Sequence, residues 1–356
     1  MIKYLGSKRR LVPVLGELLS RCGAVTAIDL FTGTTRVAQE FKRRGAEVWA
    51  LDSARYSGVL AECYVATDGR HVDVRELGRA LEHLDALPGR AGYVTETFCR
   101  RSRFFQPFNG ERIDAIRDGI EREFRLSPLY PILLTSLLEA ADRVDSTTGV
   151  QMAYLKAWAP RSFAPIRLRK PVLLPGPGHA DVGDALSLAG NLPEVDLAYI
   201  DPPYNQHRYF TNYHIWETVI AWDRPEHYGV ACKRVDAREP HTRSTFNARR
   251  SMAPALERVI RSVRARVALV SISDESWLSL RDLVEMCSPR GSVEVLTFDS
   301  RRYVGAQIGI FDPRGKRVGR VSHLRNLEHV VVSGDPSDVR EIAGAAAAAS
   351  PAAASV

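Results

Sequence analysis

The chain has 356 residues, 45% of them hydrophobic, enough for one large domain or two modest ones around a sizeable core. Its formal net charge is +7, carried mostly by arginine, which suits a polyanionic partner, although genomic base composition produces the same enrichment. No apolar run reaches membrane-span length, the N-terminus has no signal-peptide pattern, and five scattered cysteines without C-x-x-C spacing argue against a zinc site or a disulfide framework, so a reducing cytoplasm is the expected compartment.

Near the start, Lys3-Tyr4-Leu5-Gly6-Ser7-Lys8 combines two cations, an aromatic and a tight turn. Lys8 is placed to hold a ligand carboxylate and Tyr4 to stack on that ligand; the plainer reading is a solvated basic segment. Residues 25–31 read as a buried strand, Thr32-Gly33-Thr34-Thr35 as a turn, 36–44 as a helix closed by Gly45, and 47–51 as a second strand ending at Asp52. Strand, tight turn, helix and strand in so short a span is the signature of a parallel doubly wound sheet. Gly33 lets backbone approach a ligand, the next helix N-terminus offers N–H groups, and Asp52 is placed for a ribose hydroxyl pair. An ordinary crossover turn explains the same glycine. The turn has no three-glycine phosphate fingerprint and no Walker lysine, which disfavours NAD and ATP.

From Tyr56 to Pro175 the pattern turns helical: Val74, Leu77, Leu81 and Leu84 repeat at helical spacing, as do Ile113, Ile116 and Ile120, and residues 133–141 form another apolar run. This block reads as a helical insertion in the sheet domain. Gly183-Asp184 follows, with Asp184 placed to meet an adenine ring from a strand end, although turns use this pair constantly.

Residues 197–200 read as a buried strand and lead into Asp201-Pro202-Pro203-Tyr204, the most informative segment of the chain. A carboxylate accepts one proton of an exocyclic amino group, a carbonyl beside prolines of locked φ accepts the other, and Tyr204 offers a face for a planar base. The set fits the amino group of a flipped-out nucleobase aimed at an electrophile; the bland alternative is a turn that ends a strand. Residues 205–214 then mix cations, amides and aromatics, which suits an unstacked nucleic acid strand, with His207 and His214 read as hydrogen-bonding groups rather than metal ligands. Arg208, Lys233, Arg234 and Arg243 are candidate phosphate contacts. Residues 233–266 read as a loop leading into a helix, residues 267–272, 292–298 and 328–332 as strands, and 343–356 as a disordered tail or an alanine-run helix.

Taken in order, Lys3-Tyr4-Leu5-Gly6-Ser7-Lys8, Asp29-Leu30-Phe31-Thr32-Gly33, Asp52 and Asp201-Pro202-Pro203-Tyr204 resemble the Dam-type, alpha-class family of adenine-specific DNA methyltransferases, from Lys3 to about Val332. Ile113-Asp114-Ala115-Ile116-Arg117, Ala153-Tyr154-Leu155-Lys156 and Tyr209-Phe210-Thr211-Asn212-Tyr213-His214 resemble its restriction–modification branch. The resemblance implies an α/β fold: a doubly wound Rossmann-like methyltransferase sheet from residues 1–58 and 176–340, a helical target-recognition insertion at 59–175, and a tail at 341–356. It implies S-adenosyl-L-methionine as cofactor and no metal, with Tyr4, Lys8, Asp29, Phe31, Gly33, Asp52, Asp184 and Asp201 at the cofactor and Asp201, Pro202, Pro203 and Tyr204 at the target adenine. The implied partners are double-stranded DNA and a cognate restriction endonuclease, with no membrane and a cytoplasmic, nucleoid-associated location. The family commonly shows Phe-x-Gly-x-Gly in the first turn; here β-branched Thr35 replaces the second glycine and narrows the backbone angles available.

The implied reaction is methylation of N6 of a flipped-out adenine. Transfer to N4 of cytosine is the nearest alternative, in enzymes that more often carry Ser where Asp201 stands. RNA or glutamine methylation is a further one, the latter preferring Asn there. A non-catalytic DNA-binding regulator on the same fold is the alternative of a different class, against which the intact Asp201, Tyr204, Asp52 and Lys8 argue.

Overall fold

The computed structural model describes residues 1–6, 8–301, 310–311, 317–319 and 325–349, and the chain divides into two compact units. One comprises Gly6–Ser53, Gly176–His207 and Ser244–Val356, the other Met1–Leu5, Ala54–Pro175 and Arg208–Arg243.

The first unit is built on β1 (Thr26–Asp29), β2 (Glu47–Asp52), β3 (Gly178–Val182), β4 (Val195–Ile200), β5 (Ala265–Ser273), β6 (Ser292–Arg301) and β7 (Arg325–Gly334). Their order in the sheet is β3-β2-β1-β4-β5-β7-β6. β1 pairs in parallel with β2 (Ala27↔Val48) and with β4 (Ala27↔Leu197); β3 and β5 extend the parallel set on either side. β7 inserts antiparallel between β5 and β6. The central strands are continuous apolar runs, Ala27-Ile28 in β1 and Leu197-Ala198-Tyr199-Ile200 in β4, because a parallel strand is covered on both faces. Leu256, Val259 and Ile260 of helix Arg249–Ser262 pack in one cluster with Ile28, Ile200 and Val270. The strand order runs outward both ways from the β1–β4 pair, so the crevice at their carboxyl ends is the expected ligand position. This is the doubly wound α/β sheet expected from the sequence.

Two elements differ from expectation for physical reasons. β3 was not foreseen: as an edge strand its residues are half-buried or exposed, so it carries no apolar run. Residues 341–349 lie in helix Pro336–Ala349, which buries Val339 and Ile342; residues 350–356 lie outside the described residues.

The second unit is helical, with helices Arg55–Ala61, Val74–Ala86, Pro107–Phe124, Tyr130–Val144 and His214–Ala221. The apolar spacing is its cause: Leu77, Leu81, Leu84, Ile113, Ile116 and Ile120 all enter one core. Val74 shares that spacing but is 55% exposed, because it is the first helical residue after the N-cap Asp73. Among the described residues, no helix is long and apolar enough to cross a membrane.

The polar members of the segment 113–117 hold this unit together. Asp114 is buried and accepts from the backbone N–H of Gly92 (2.9 Å), Val94 (2.9 Å) and Thr95 (2.8 Å) and from Thr95 Oγ1 (2.6 Å). Arg117, 1% exposed, donates from Nε to Val219 O (2.7 Å) and from Nη2 to Ile220 O (3.0 Å), satisfying orphan carbonyls at the end of helix His214–Ala221. Asp114→Ala strips four donors of their acceptor, three of them backbone amides, and is expected to lower unfolding free energy by about 3 kcal/mol or more. Denaturant titration checks this, and a loss below about 1 kcal/mol would refute the clamp.

Candidate active site at the carboxyl ends of the parallel strands

β1 ends at Asp29 and β2 at Asp52; Asp184 follows β3 by two residues and Asp201 follows β4 directly. Asp29 pairs in register with Ala50 and Tyr199, and Asp52 with Val182, so the four acids share one end of the sheet.

Asp29 organises the first turn. Its Oδ2 accepts from Thr32 Oγ1 (2.9 Å) and from Ala38 N (3.2 Å), while its buried Oδ1 has no hydrogen-bond partner among the described residues. Burial pushes its carboxyl up to about 7; the Thr32 hydroxyl opposes the shift and the Asp201 charge adds to it. Gly33 takes φ +51° and donates its N–H to Asp52 Oδ2 at 2.8 Å, joining the turn to the acid of the second strand. Phe31 meets Phe246 edge to face, ring centroids 5.1 Å apart.

Thr35 stands where the resemblance leads us to expect a second glycine, and the reason for a glycine there is plain in the backbone. The residue is left-handed, φ 61° and ψ 13°, a region glycine enters without cost and a β-branched side chain rarely adopts. Its N–H donates to Thr32 O (2.6 Å) and its Oγ1 accepts from Gln39 Nε2 (2.7 Å), so the turn keeps its shape with threonine. Asp184 serves as the N-cap of the short helix Ala185–Leu188, accepting from Leu186 N at 3.0 Å, and Gly183 N donates to Asp52 O at 2.9 Å.

At the end of β4, Asp201 lies 3.2 Å from Lys8 Nζ, and the same ammonium lies 2.8 Å from Glu328 Oε2. Lys8 is 8% exposed. Burial opposes its charge, but Asp201, Tyr204 and Glu328 together outweigh burial and hold its pKa well above the usual value. Asp201 is pushed up to about 6, chiefly by burial; Lys8 opposes that shift and Glu328 reinforces it. The Lys8 ammonium sits 5.6 Å from the centroid of the Tyr204 ring. Tyr204 O accepts from Trp277 N (3.2 Å), and Asn247 Nδ2 donates to Asn205 O (2.8 Å) and His207 O (3.1 Å), which pins the loop after the prolines. Pro202 is buried and Pro203 half-buried.

The structure thus gathers Lys8, Asp29, Phe31, Gly33, Asp52, Asp184 and Asp201 to Tyr204 in one unit. Lys8, expected to face a ligand carboxylate, is bound by two carboxylates of the protein itself; Ser7 beside it lies outside the described residues. Glu328 went unnoticed in the sequence. A charged residue inside a strand that continues into Val330-Val331-Val332 was the available signal.

Tyr4, Arg208, Lys233, Arg234 and Arg243 belong to the helical unit. There Tyr4 stacks on Tyr213 (centroids 4.9 Å apart, 16° between planes) and on Tyr209 (5.3 Å, 29°), and Leu5 N donates to Tyr213 Oη (2.6 Å). Arg208 and Arg243 are exposed and Lys233 is half-buried. Arg234 does not fit the phosphate-contact role. It is 5% exposed, donates to Asp223 (2.8 and 2.7 Å) and to Asp236 (3.0 and 2.6 Å), and lies over the Phe210 ring, so its donors are engaged by carboxylates. Nor is the whole of 205–214 available to a nucleic acid strand, because Asn212, Tyr213 and His214 are interior. His214 Nε2 lies 3.1 Å from Gln151 O, and burial pushes its imidazole down to about 3.

Against known proteins, the family described as D12 class N6 adenine-specific DNA methyltransferase matches residues 4–285. The type II methyltransferase M.NlaIII of Neisseria lactamica is 29% identical over 317 residues, covering 85% of this chain and 92% of that protein. The type II methyltransferase M.CviAII of Paramecium bursaria Chlorella virus 1 is 30% identical over 319 residues, with the same coverage of 85% and 92%. M.FokI of Planomicrobium okeanokoites is 28% identical over 315 residues, 82% of this chain but 48% of that longer protein. A family match over most of the chain, and two relatives covered almost end to end, make this protein a member of the D12 class N6 adenine-specific DNA methyltransferases.

Proposed function

We propose that the protein moves the methyl group of S-adenosyl-L-methionine to N6 of an adenine extruded from double-stranded DNA, as the modification partner of a restriction endonuclease or as an epigenetic mark. The observation that carries this reading is Asp201: a carboxylate at the end of a central parallel strand, in a corner stiffened by two prolines and ion-paired to a buried lysine.

The residues fit the cofactor. Asp29 Oδ1 is a buried acceptor without a partner among the described residues, which the ammonium of an amino-acid moiety would satisfy. Asp52, braced by Gly33 N, would take the ribose hydroxyls, and Phe31 and Asp184 would border the adenine. When bound, S-adenosyl-L-methionine supplies an electrophilic methyl group on a sulfonium.

The chain itself supplies position and field. The N6 amino group donates one hydrogen bond to Asp201 and one to the Pro202 carbonyl, which draws the nitrogen lone pair out of ring conjugation, while Tyr204 stacks on the extruded base. Lys8 keeps the Asp201 carboxylate charged against the cost of burial. The aminium product is acidic and passes its proton to solvent or to the Asp201 carboxylate, so no strong base is needed. Catalysis is then chiefly orientation and electrostatic preorganisation. Arg208, Lys233 and Arg243 are the phosphate contacts of this reading, and the helical unit reads the target site.

Asp201→Ala is expected to cut methyl transfer by on the order of 1,000-fold with the fold retained, assayed as labelled methyl incorporated into duplex DNA and resolved by nucleoside analysis. Near wild-type incorporation by that variant would end the amino-group clamp. Tyr204→Ala should weaken capture of the extruded base by about tenfold or more, and a fluorescent adenine analogue at the target position reports it. The carboxyl near 6 sets a pH dependence. Below that pH Asp201 is protonated and loses acceptor capacity, so kcat/KM falls as pH drops through about 6 and levels off above it. A rate unchanged down to about pH 5 would show that Asp201 ionisation is not required.

A further inference from the structure

Glu328 stands in none of the motifs that carry the family resemblance, and the chemistry above does not use it. It nonetheless makes the shorter of the two ion pairs on the Lys8 ammonium, 2.8 Å against 3.2 Å for Asp201. We propose that Glu328 is a positioning residue for methyl transfer: from the antiparallel strand β7 it anchors Lys8, and through Lys8 it fixes the carboxylate that receives the target amino group.

The sheet explains the arrangement. Glu328 pairs in register with Ser273, the last residue of β5, and β5 separates β7 from β4. Because β7 runs antiparallel, its early residues lie at the same end of the sheet as the carboxyl ends of the parallel strands. Glu328 therefore reaches the Asp201 end of the sheet from two strands away, and Lys8 spans the interval. A lysine stem has four rotatable carbons and an ammonium with three donors, so one carboxylate leaves its position poorly determined. A second carboxylate fixes it. With Glu328 gone, the ammonium would turn all its donors to Asp201 and compete with the substrate amine for the same lone pairs.

The cluster also sets the charge balance around Asp201. The groups facing it are Lys8, Glu328, Tyr199 on β4, Asp29 on β1 and Tyr204. Lys8 favours the ionised carboxylate and Glu328 opposes it. Replacing Glu328 by glutamine keeps an oxygen for Lys8 Nζ and removes the opposing anion, so Asp201 should ionise at lower pH.

The inference rests on the proposed reaction, and the test separates the two. Wild-type protein, Glu328→Ala and Glu328→Gln are compared in steady-state methylation of duplex DNA across pH, in cofactor affinity, and in carboxyl 13C NMR titrations of the ligand-free protein. Glu328→Ala should lower kcat by about tenfold to a hundredfold, with cofactor affinity and KM for DNA held within about twofold. Glu328→Gln should recover most of that rate, and both its acidic limb and its Asp201 resonance should move to lower pH. Wild-type kcat in Glu328→Ala, or a Glu328→Gln protein in which neither the limb nor the resonance moves, overturns the assignment. If Glu328→Ala fails to fold, Glu328→Gln decides alone. Wild-type protein that forms no N6-methyladenine overturns the reaction instead, and the ligand-free titration still judges the Glu328–Lys8–Asp201 coupling.

Discussion

A single buried ammonium lying against two carboxylates is the interaction on which this site depends. Taking charge out of water costs several kcal/mol per ion, and the cost is offset only when partners and hydrogen bonds are close to complete. Lys8 meets that condition with Asp201 and Glu328. Burial pushes the Asp201 carboxyl up to about 6; Lys8 opposes that shift and Glu328 adds to it.

The strand-end acids show how the fold turns local sequence into a common surface. Asp29, Asp52, Asp184 and Asp201 are spread over nearly half of the sequence, and the parallel register brings them to one end of the sheet. Most of this was legible from the residues, because apolar runs ending in an acid and a tight turn are local patterns. The doubly wound class of the sheet followed from them. What stayed hidden was long-range or directional. Lys8 and Glu328 are 320 positions apart, and no spacing rule joins them. β3 has no apolar run because it lies at the sheet edge. Arg234 looked like a phosphate contact because sequence shows a charge but not which way a side chain points.

The arginine content needs the same care. It suggested a polyanionic partner, yet Arg117 and Arg234 are interior and act as hydrogen-bond clamps. A planar guanidinium with five donors suits that task, since one side chain can satisfy carbonyls at a helix end and carboxylates from a loop. In the helical unit, Asp114 plays the complementary part as an acceptor for three consecutive-turn amides. The segment 113–117, which supported the family resemblance, has an architectural role in this structure.

The helical unit is assembled from separate stretches of chain, and this bears on any attempt to transplant it. Tyr213, Trp216 and Val219 lie in the same core as Leu77, Ile116 and Leu137, and Ile2 joins them from the opposite end of the sequence. Moving residues 54–175 into a related enzyme would leave that interior without its own aromatic plugs. A chimaera meant to carry over this unit has to exchange Met1–Leu5, Ala54–Pro175 and Arg208–Arg243 as a set.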